Sequence, residues 1–127
     1  MAGITGFTGW VGTVLGTPDP VGLGRFYQGL VGGDLDERDG TFVSLHVAGT
    51  HYLAFQLEPD HRPPAWPAGA GEQQMQLHLD VGVGSVADAV TEAEGLGARV
   101  ADFQPQDDVR VMLDPAGHPF CLYLDRD

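Results

Sequence analysis

The sequence predicts an α+β fold: two tandem βαβββ modules whose curved mixed sheets enclose a cleft. Three observations carry that reading. Apolar periodicity switches from strand-like to helix-like and back, twice, along the 127 residues. The two passes end on matching tripeptides, Phe55-Gln56-Leu57 and Phe120-Cys121-Leu122. The spacing is also duplicated, with 44 positions from Gly12 to Gln56 and 43 from His78 to Cys121. A unit of about 50 residues is too small to close a core alone, so two should pack together as one domain over 1–127.

Module one spans about 8–58. Its first strand is predicted at Trp10 to Leu15, a short apolar and β-branched run, followed by turn-prone residues from Gly16 to Pro20. Asp19 can cap a helix with Pro20 at its first position, and Leu23, Phe26, Tyr27, Leu30 and Val31 recur at helical spacing. Gly32 and Gly33 end that helix. A short strand near Leu35 is followed by strands at Thr41 to Val47 and Tyr52 to Leu57, with the turn Ala48-Gly49-Thr50-His51 between them.

The segment 59–73 reads as a linker or covering loop, because four prolines, glycines and Trp66 leave no periodic pattern from Pro59 to Gly71. Module two spans about 74–127. Gln76 to Val83 alternates as a strand, and Ser85 with Asp88 forms a capping box for a helix carrying Val86, Ala89, Val90, Ala93 and Leu96. Gly95 and Gly97 end it. Strands at Val109 to Leu113 and Phe120 to Leu124 flank the turn Asp114-Pro115-Ala116-Gly117.

Composition narrows the function classes. Eighteen acids against six bases give a net charge of -12, and all six bases are arginines scattered singly. Phosphate backbones are held by clustered Lys and Arg, so nucleic acid is not an expected partner. A cationic or planar aromatic small molecule suits the field better. The single cysteine, Cys121, cannot staple a secreted fold, and the glycine-rich N-terminus reads as neither signal peptide nor membrane span. The expectation is a cytoplasmic protein that binds no membrane.

Five segments together carry a resemblance: DPVGLGRFYQGLVGG (19–33), LAFQ (53–56), PPAWPAG (63–69), QMQLHLDV (74–81) and, most specifically, DPAGHPFCL (114–122). They make the chain similar to the vicinal oxygen chelate superfamily, which includes glyoxalases, bleomycin resistance proteins and extradiol dioxygenases. The resemblance implies a homodimer. In metal-using members each module supplies a ligand from its first and its last strand. Those positions fall on Gly12 and Gln56 in module one and on His78 and Cys121 in module two. Gly12 has no donor, Gln56 is a weak oxygen ligand, and a thiol stands where metal-using members usually carry Glu. Such a set lacks the carboxylates that Mg2+ or Mn2+ prefer. Zinc through His78 and Cys121 would need a third protein ligand. The expectation is therefore no metal and no cofactor; if a metal bound, Gln56 and His78 would hold it.

Strand parity places Trp10 with Gly12, Tyr52 and Ala54 with Gln56, and Gln76 and Asp80 with His78, on faces that would line the cleft. The absent side chain at Gly12 would widen that space. The predicted ligand-binding residues are Trp10, Gly12, His46, Tyr52, Gln56, Trp66, His78 and Cys121. Trp66 reads equally as core packing or as a lid, and Cys121 as a small buried hydrophobe. Asp19, Asp114 and His118 read as turn and cap residues. Two functions remain open. The first is a metal-free protein that sequesters an antibiotic or other toxic natural product. The second is a lyase, isomerase or dioxygenase with His78 as ligand or general base. A third reading, an interaction module with a vestigial cleft, predicts no ligand at all.

Overall fold

The computed structural model describes residues 3–49 and 51–126. The chain divides between Leu57 and Glu58 into two compact units. Each contains one helix and one four-stranded mixed sheet, and the two are tandem βαβββ modules. No helix among the described residues is long and apolar enough to cross a membrane.

The first unit runs β1 (Thr13–Thr17), α1 (Pro20–Val31), β2 (Asp34–Asp36), β3 (Phe42–His46) and β4 (Tyr52–Leu57), with sheet order β1-β4-β3-β2. Asp19 caps α1 as expected, its Oδ1 accepting from Gly22 N at 3.0 Å, with Pro20 as the first helical residue. The helix lies on β3 and β4 because Gly24 has no side chain: a Cβ there would fall 2.8 Å from Val43 Cγ1. Val43, Leu45, Phe55, Leu23 and Tyr27 are fully buried beneath it, and Tyr27 stacks on Phe55 with ring centroids 5.6 Å apart. Alternation then sends Gly16, Gln56 and Phe42, mutually paired in register, to the opposite face.

The first strand differs from its expected bounds. It starts at Thr13 rather than Trp10 and continues through Gly16 and Thr17, which were expected to turn. The cause is non-local: β1 pairs in parallel with β4 from Thr13↔Leu53 to Thr17↔Leu57, so its partner sets its end. The turn expected at 48–51 includes Thr50, which lies outside the described residues.

The second unit runs β5 (Leu79–Val83), α2 (Val86–Leu96), β6 (Arg99–Val100), β7 (Val109–Leu113) and β8 (Pro119–Leu124), with sheet order β5-β8-β7-β6, the same topology as the first. Ser85 Oγ accepts from Asp88 N at 3.3 Å and opens α2. Gly97, at φ 114°, closes it; Gly95 lies inside the helix rather than ending it. Strand β5 begins at Leu79, so Gln76 and His78 precede the strand they were expected to join. The two-residue β6 has too little pattern to be read locally. Gln104 holds it against β7, its side chain bonding Ala101 O, Val111 O and Val111 N at 2.8, 2.9 and 2.8 Å.

Residues 59–73, read from the sequence as a linker or covering loop, group with the second unit, which begins at Glu58. Two contacts pin them. His61 Nε2 donates to Ala116 O at 2.7 Å, and Pro63 packs against Gly117 so closely that a Cβ there would meet Pro63 Cβ at 2.6 Å. Gly117 also has φ 85°, so both backbone conformation and space require glycine. Asp114 is buried and Oδ1 accepts from Ala116 N and His118 N at 2.9 and 3.0 Å, which fixes this turn as its sequence suggested.

Candidate functional site

Strand β5 brings Asp80 opposite Cys121 of β8 in parallel register, and His78 immediately precedes the strand. The imidazole Nε2 of His78 lies 3.1 Å from Asp80 Oδ1. The Cys121 thiol donates to the same carboxylate. Half-burial and then the adjacent Asp80 charge push the thiol above its ordinary value, so the sulfur is a protonated and poorly reactive group at neutral pH. These three residues floor an open pocket of about 360 Å3 that Gln106, Val109 and Tyr123 complete. The opposite face of β8 is apolar and closed, with Phe120 and Leu122 fully buried. Polar chemistry is thus confined to one face of the sheet.

The first unit presents a row of rings. His46 stacks on Tyr52, its cross-strand partner, at 4.4 Å and 8°, and Tyr52 meets Trp10 at 5.4 Å. Trp10 and Tyr52, with Thr8, Gly9 and Gly49, line a second hollow of about 220 Å3. His46 Nε2 lies 3.0 Å from Gly49 O, which sets the ring's orientation.

The structure therefore joins His78 to Cys121, and Trp10 and His46 to Tyr52. It does not join Gly12 to Gln56. Gln56 pairs with Gly16, and Gly12 lies four residues earlier, about 13 Å along an extended chain. Nor does Gly12 widen a ligand space: the Trp10 indole covers it, and a Cβ at Gly12 would fall 2.6 Å from the ring. Trp10 and Gly12 precede β1, so strand parity does not govern them. Trp66 lines neither hollow. Its ring lies 6.5 Å from Phe103, and its Nε1 is buried without a hydrogen-bond partner among the described residues.

Strand parity grouped Asp80 with His78 on the cleft face, but Asp80 was not among the predicted ligand-binding residues. Sequence reasoning missed Tyr123, although Tyr123 shares a face with Cys121 two residues earlier. Gln106 arrives from a segment without periodicity, so no local pattern could have placed it, whereas Val109 opens β7, a strand the sequence predicted.

Each unit is a βαβββ module, and the second carries a polar-floored hollow on an open sheet face. The glyoxalase-like domain family model matches residues 12–123, and the chain belongs to this family, within the vicinal oxygen chelate superfamily. No curated protein matches. Among solved structures, the chain is similar to the hypothetical protein SA1046 from S. aureus, at 15% identity and TM-score 0.67, covering 94% of this chain and 96% of that one. It is similar to a glyoxalase/bleomycin resistance protein/dioxygenase family enzyme from Burkholderia phytofirmans PsJN at 21% identity and TM-score 0.63, over 86% and 92% of the two chains. It also resembles the fosfomycin resistance protein FosX from Listeria monocytogenes, complexed with Mn(II) and sulfate, at 14% identity and TM-score 0.66, over 93% and 90%. At these identities the likeness is one of fold.

The donors in the second unit do not fit the hard cations common in such chemistry. Mg2+ and Mn2+ favour several oxygen ligands, whereas His78, Asp80 and Cys121 offer one imidazole, one carboxylate and one thiol. The count nevertheless exceeds the sequence expectation, because Asp80 supplies the third donor that His78 and Cys121 lacked.

Proposed function

We propose that this protein binds and sequesters a small molecule, in the manner of a resistance protein, and that its ligand is an antibiotic or another toxic natural product. The observation that carries the reading is the pocket over His78, Asp80 and Cys121, which is large enough for a ligand fragment and has a poorly nucleophilic floor. The Trp10, Tyr52 and His46 rings and the net charge of -12 favour a cationic or planar ligand. Named neighbours among resistance proteins support the same class. Exposed Phe42 and Val14 on the sheet face opposite α1 support a homodimer, which sedimentation would measure.

The test is calorimetric titration with a panel of cationic and planar antibiotics, followed by recovery of the bound compound and its mass. Recovery unchanged after prolonged incubation is the expected result. An altered mass would replace this reading with the second, and an empty panel of binders would remove it.

The second reading is an enzyme in which Asp80 orients His78 as a general base, and the 3.1 Å contact between them favours it. It expects His78→Ala to abolish turnover while ligand binding survives.

A further inference from the structure

A row of side chains crosses the sheet of the first unit on the face opposite α1. Register pairs Asp34 of β2 with His46 of β3, and His46 with Tyr52 of β4. Trp10, just before β1, folds back over Gly12 and reaches Tyr52. The row therefore runs carboxylate, imidazole, phenol, indole. It ends at the hollow of about 220 Å3 lined by Thr8, Gly9, Trp10, Gly49 and Tyr52, none of which is basic. Gly9, at φ 90°, bends the chain at the rim in a conformation that L side chains rarely adopt.

Ring geometry selects the shape of the ligand. His46 lies parallel to Tyr52, at 8° and 4.4 Å, so one face of the phenol ring is already covered. Gly49 O can only accept, so His46 Nε2 donates to it at 3.0 Å, and this bond holds the imidazole in place. Trp10 stands at 54° to Tyr52 with centroids 5.4 Å apart, which makes a wedge and not a parallel slot. A flat ring system inserted between two rings needs a parallel gap of about 7 Å, twice the contact distance of carbon atoms. A compact, convex group can touch both walls of a wedge. Aromatic faces attract cations electrostatically, most strongly when the cation is poorly hydrated, as an ammonium wrapped in methyl groups is. Charge at the sheet edge has the matching sign. Asp36 is paired with Arg38, so Asp34 carries the negative charge there, about 10 Å and two strands from Tyr52.

We propose that Trp10 and Tyr52 form a binding site for a methylated ammonium group, the head of an organic cation, with His46 positioning the phenol ring and Asp34 drawing the charge in. The proposal rests on the sequestration reading only in taking that group as part of the sequestered compound; the site itself is built from the first unit alone.

The experiment titrates the full chain, isotope-labelled on nitrogen, with choline and with 3,3-dimethyl-1-butanol, its uncharged isostere, and follows both indole N–H signals by NMR. The expected result is a saturable shift of the Trp10 signal while the Trp66 signal stays in place, with the isostere at least about fivefold weaker. Trp10→Phe should weaken choline about threefold and Trp10→Ala at least about tenfold, the order of ring strength, and Trp10 is exposed, so neither change opens the core. Asp34→Asn should cost about twofold at low salt and nothing at about 1 M. A Trp10 signal unmoved by choline would overturn the site, as would an isostere that binds as tightly, or the flat cation proflavine shifting Trp10 where choline does not. The first of these is read on the wild-type chain, so a variant that failed to fold would not leave the question open. Failure here leaves the pocket over His78, Asp80 and Cys121 and its antibiotic panel standing, whereas an empty panel with choline still bound would remove sequestration and keep this site.

Discussion

The Asp80 carboxylate lies 3.1 Å from Nε2 of His78 and also accepts the thiol hydrogen of Cys121. One acid thus links His78 to Cys121. The thiol is raised first by burial and then by this carboxylate. Alkylation by iodoacetamide should therefore show a pH profile displaced above that of a free cysteine, and Asp80→Asn should move it part of the way back, since burial remains. The sign for stability follows. The folded chain keeps this proton where the unfolded chain loses it, so the contribution is whole below about pH 8.5 and falls above it. A profile unchanged in Asp80→Asn would show that the carboxylate does not govern the thiol.

Trp10 covers Gly12, and the two cannot both keep their places if a methyl group is added. Gly12→Ala should displace the indole and change the tryptophan emission, at a stability cost of less than about 1 kcal/mol because Trp10 is 57% exposed. Ligands that require the Trp10 and Tyr52 hollow should weaken in parallel. An unaltered spectrum would mean the ring does not rest there in solution.

Gln104 acts as a substitute strand residue. Its three bonds, to Ala101 O and to both polar atoms of Val111, should make Gln104→Ala cost about 2 kcal/mol in chemical denaturation. Hydrogen exchange at the Val111 amide should accelerate more than at neighbouring β7 amides. Equal acceleration throughout β7 would point to global unfolding instead.

The loop 58–73 is attached through Gly117. Gly117→Ala adds a methyl group against Pro63 at a position with φ 85°, and should destabilise the chain by about 1 to 2 kcal/mol while exposing the loop to protease. Cleavage confined to 58–73 is the expected fragment pattern.

Asp36 is held down at about 2 by a two-pronged hydrogen bond from the Arg38 guanidinium, at 2.9 and 2.6 Å. Its folded value lies below the unfolded one, so its stabilising contribution is present above about pH 4 and is lost as pH falls towards 2. Carbon-detected NMR of Arg38→Ala should show the carboxyl moving part of the way back, because the backbone N–H at position 38 still donates to Asp36 Oδ1, at 3.2 Å in the parent chain.

Much of this molecule was legible locally. The Asp19 and Ser85 caps, the glycine that closes each helix, the Asp114 turn and the Tyr52–Leu57 strand depend on residues within a few positions of one another. Local patterns report local energies well. The duplicated spacing exposed the two-module plan, although the register pairs Gln56 with Gly16, not with the region of Gly12. The site was legible only in part. His78 and Cys121 could be proposed from position, whereas Asp80 as the acid joining them required the β5 to β8 pairing.

By itself the sequence determined the element types and their order apart from β6, the residues that cap both helices, and the class of chain: an acidic, arginine-only, single-cysteine chain with a repeated α+β plan. The tertiary structure decided where β1 starts and stops, that Trp10 fills the space over Gly12, that residues 58–73 belong with the second unit, and that a carboxylate joins His78 to Cys121. The division is physical. Helix caps and turns are stabilised by hydrogen bonds between near neighbours, so their code is short. Strand ends and shared sites are set by partners about 40 residues away, whose pairing is paid for only when the whole sheet forms.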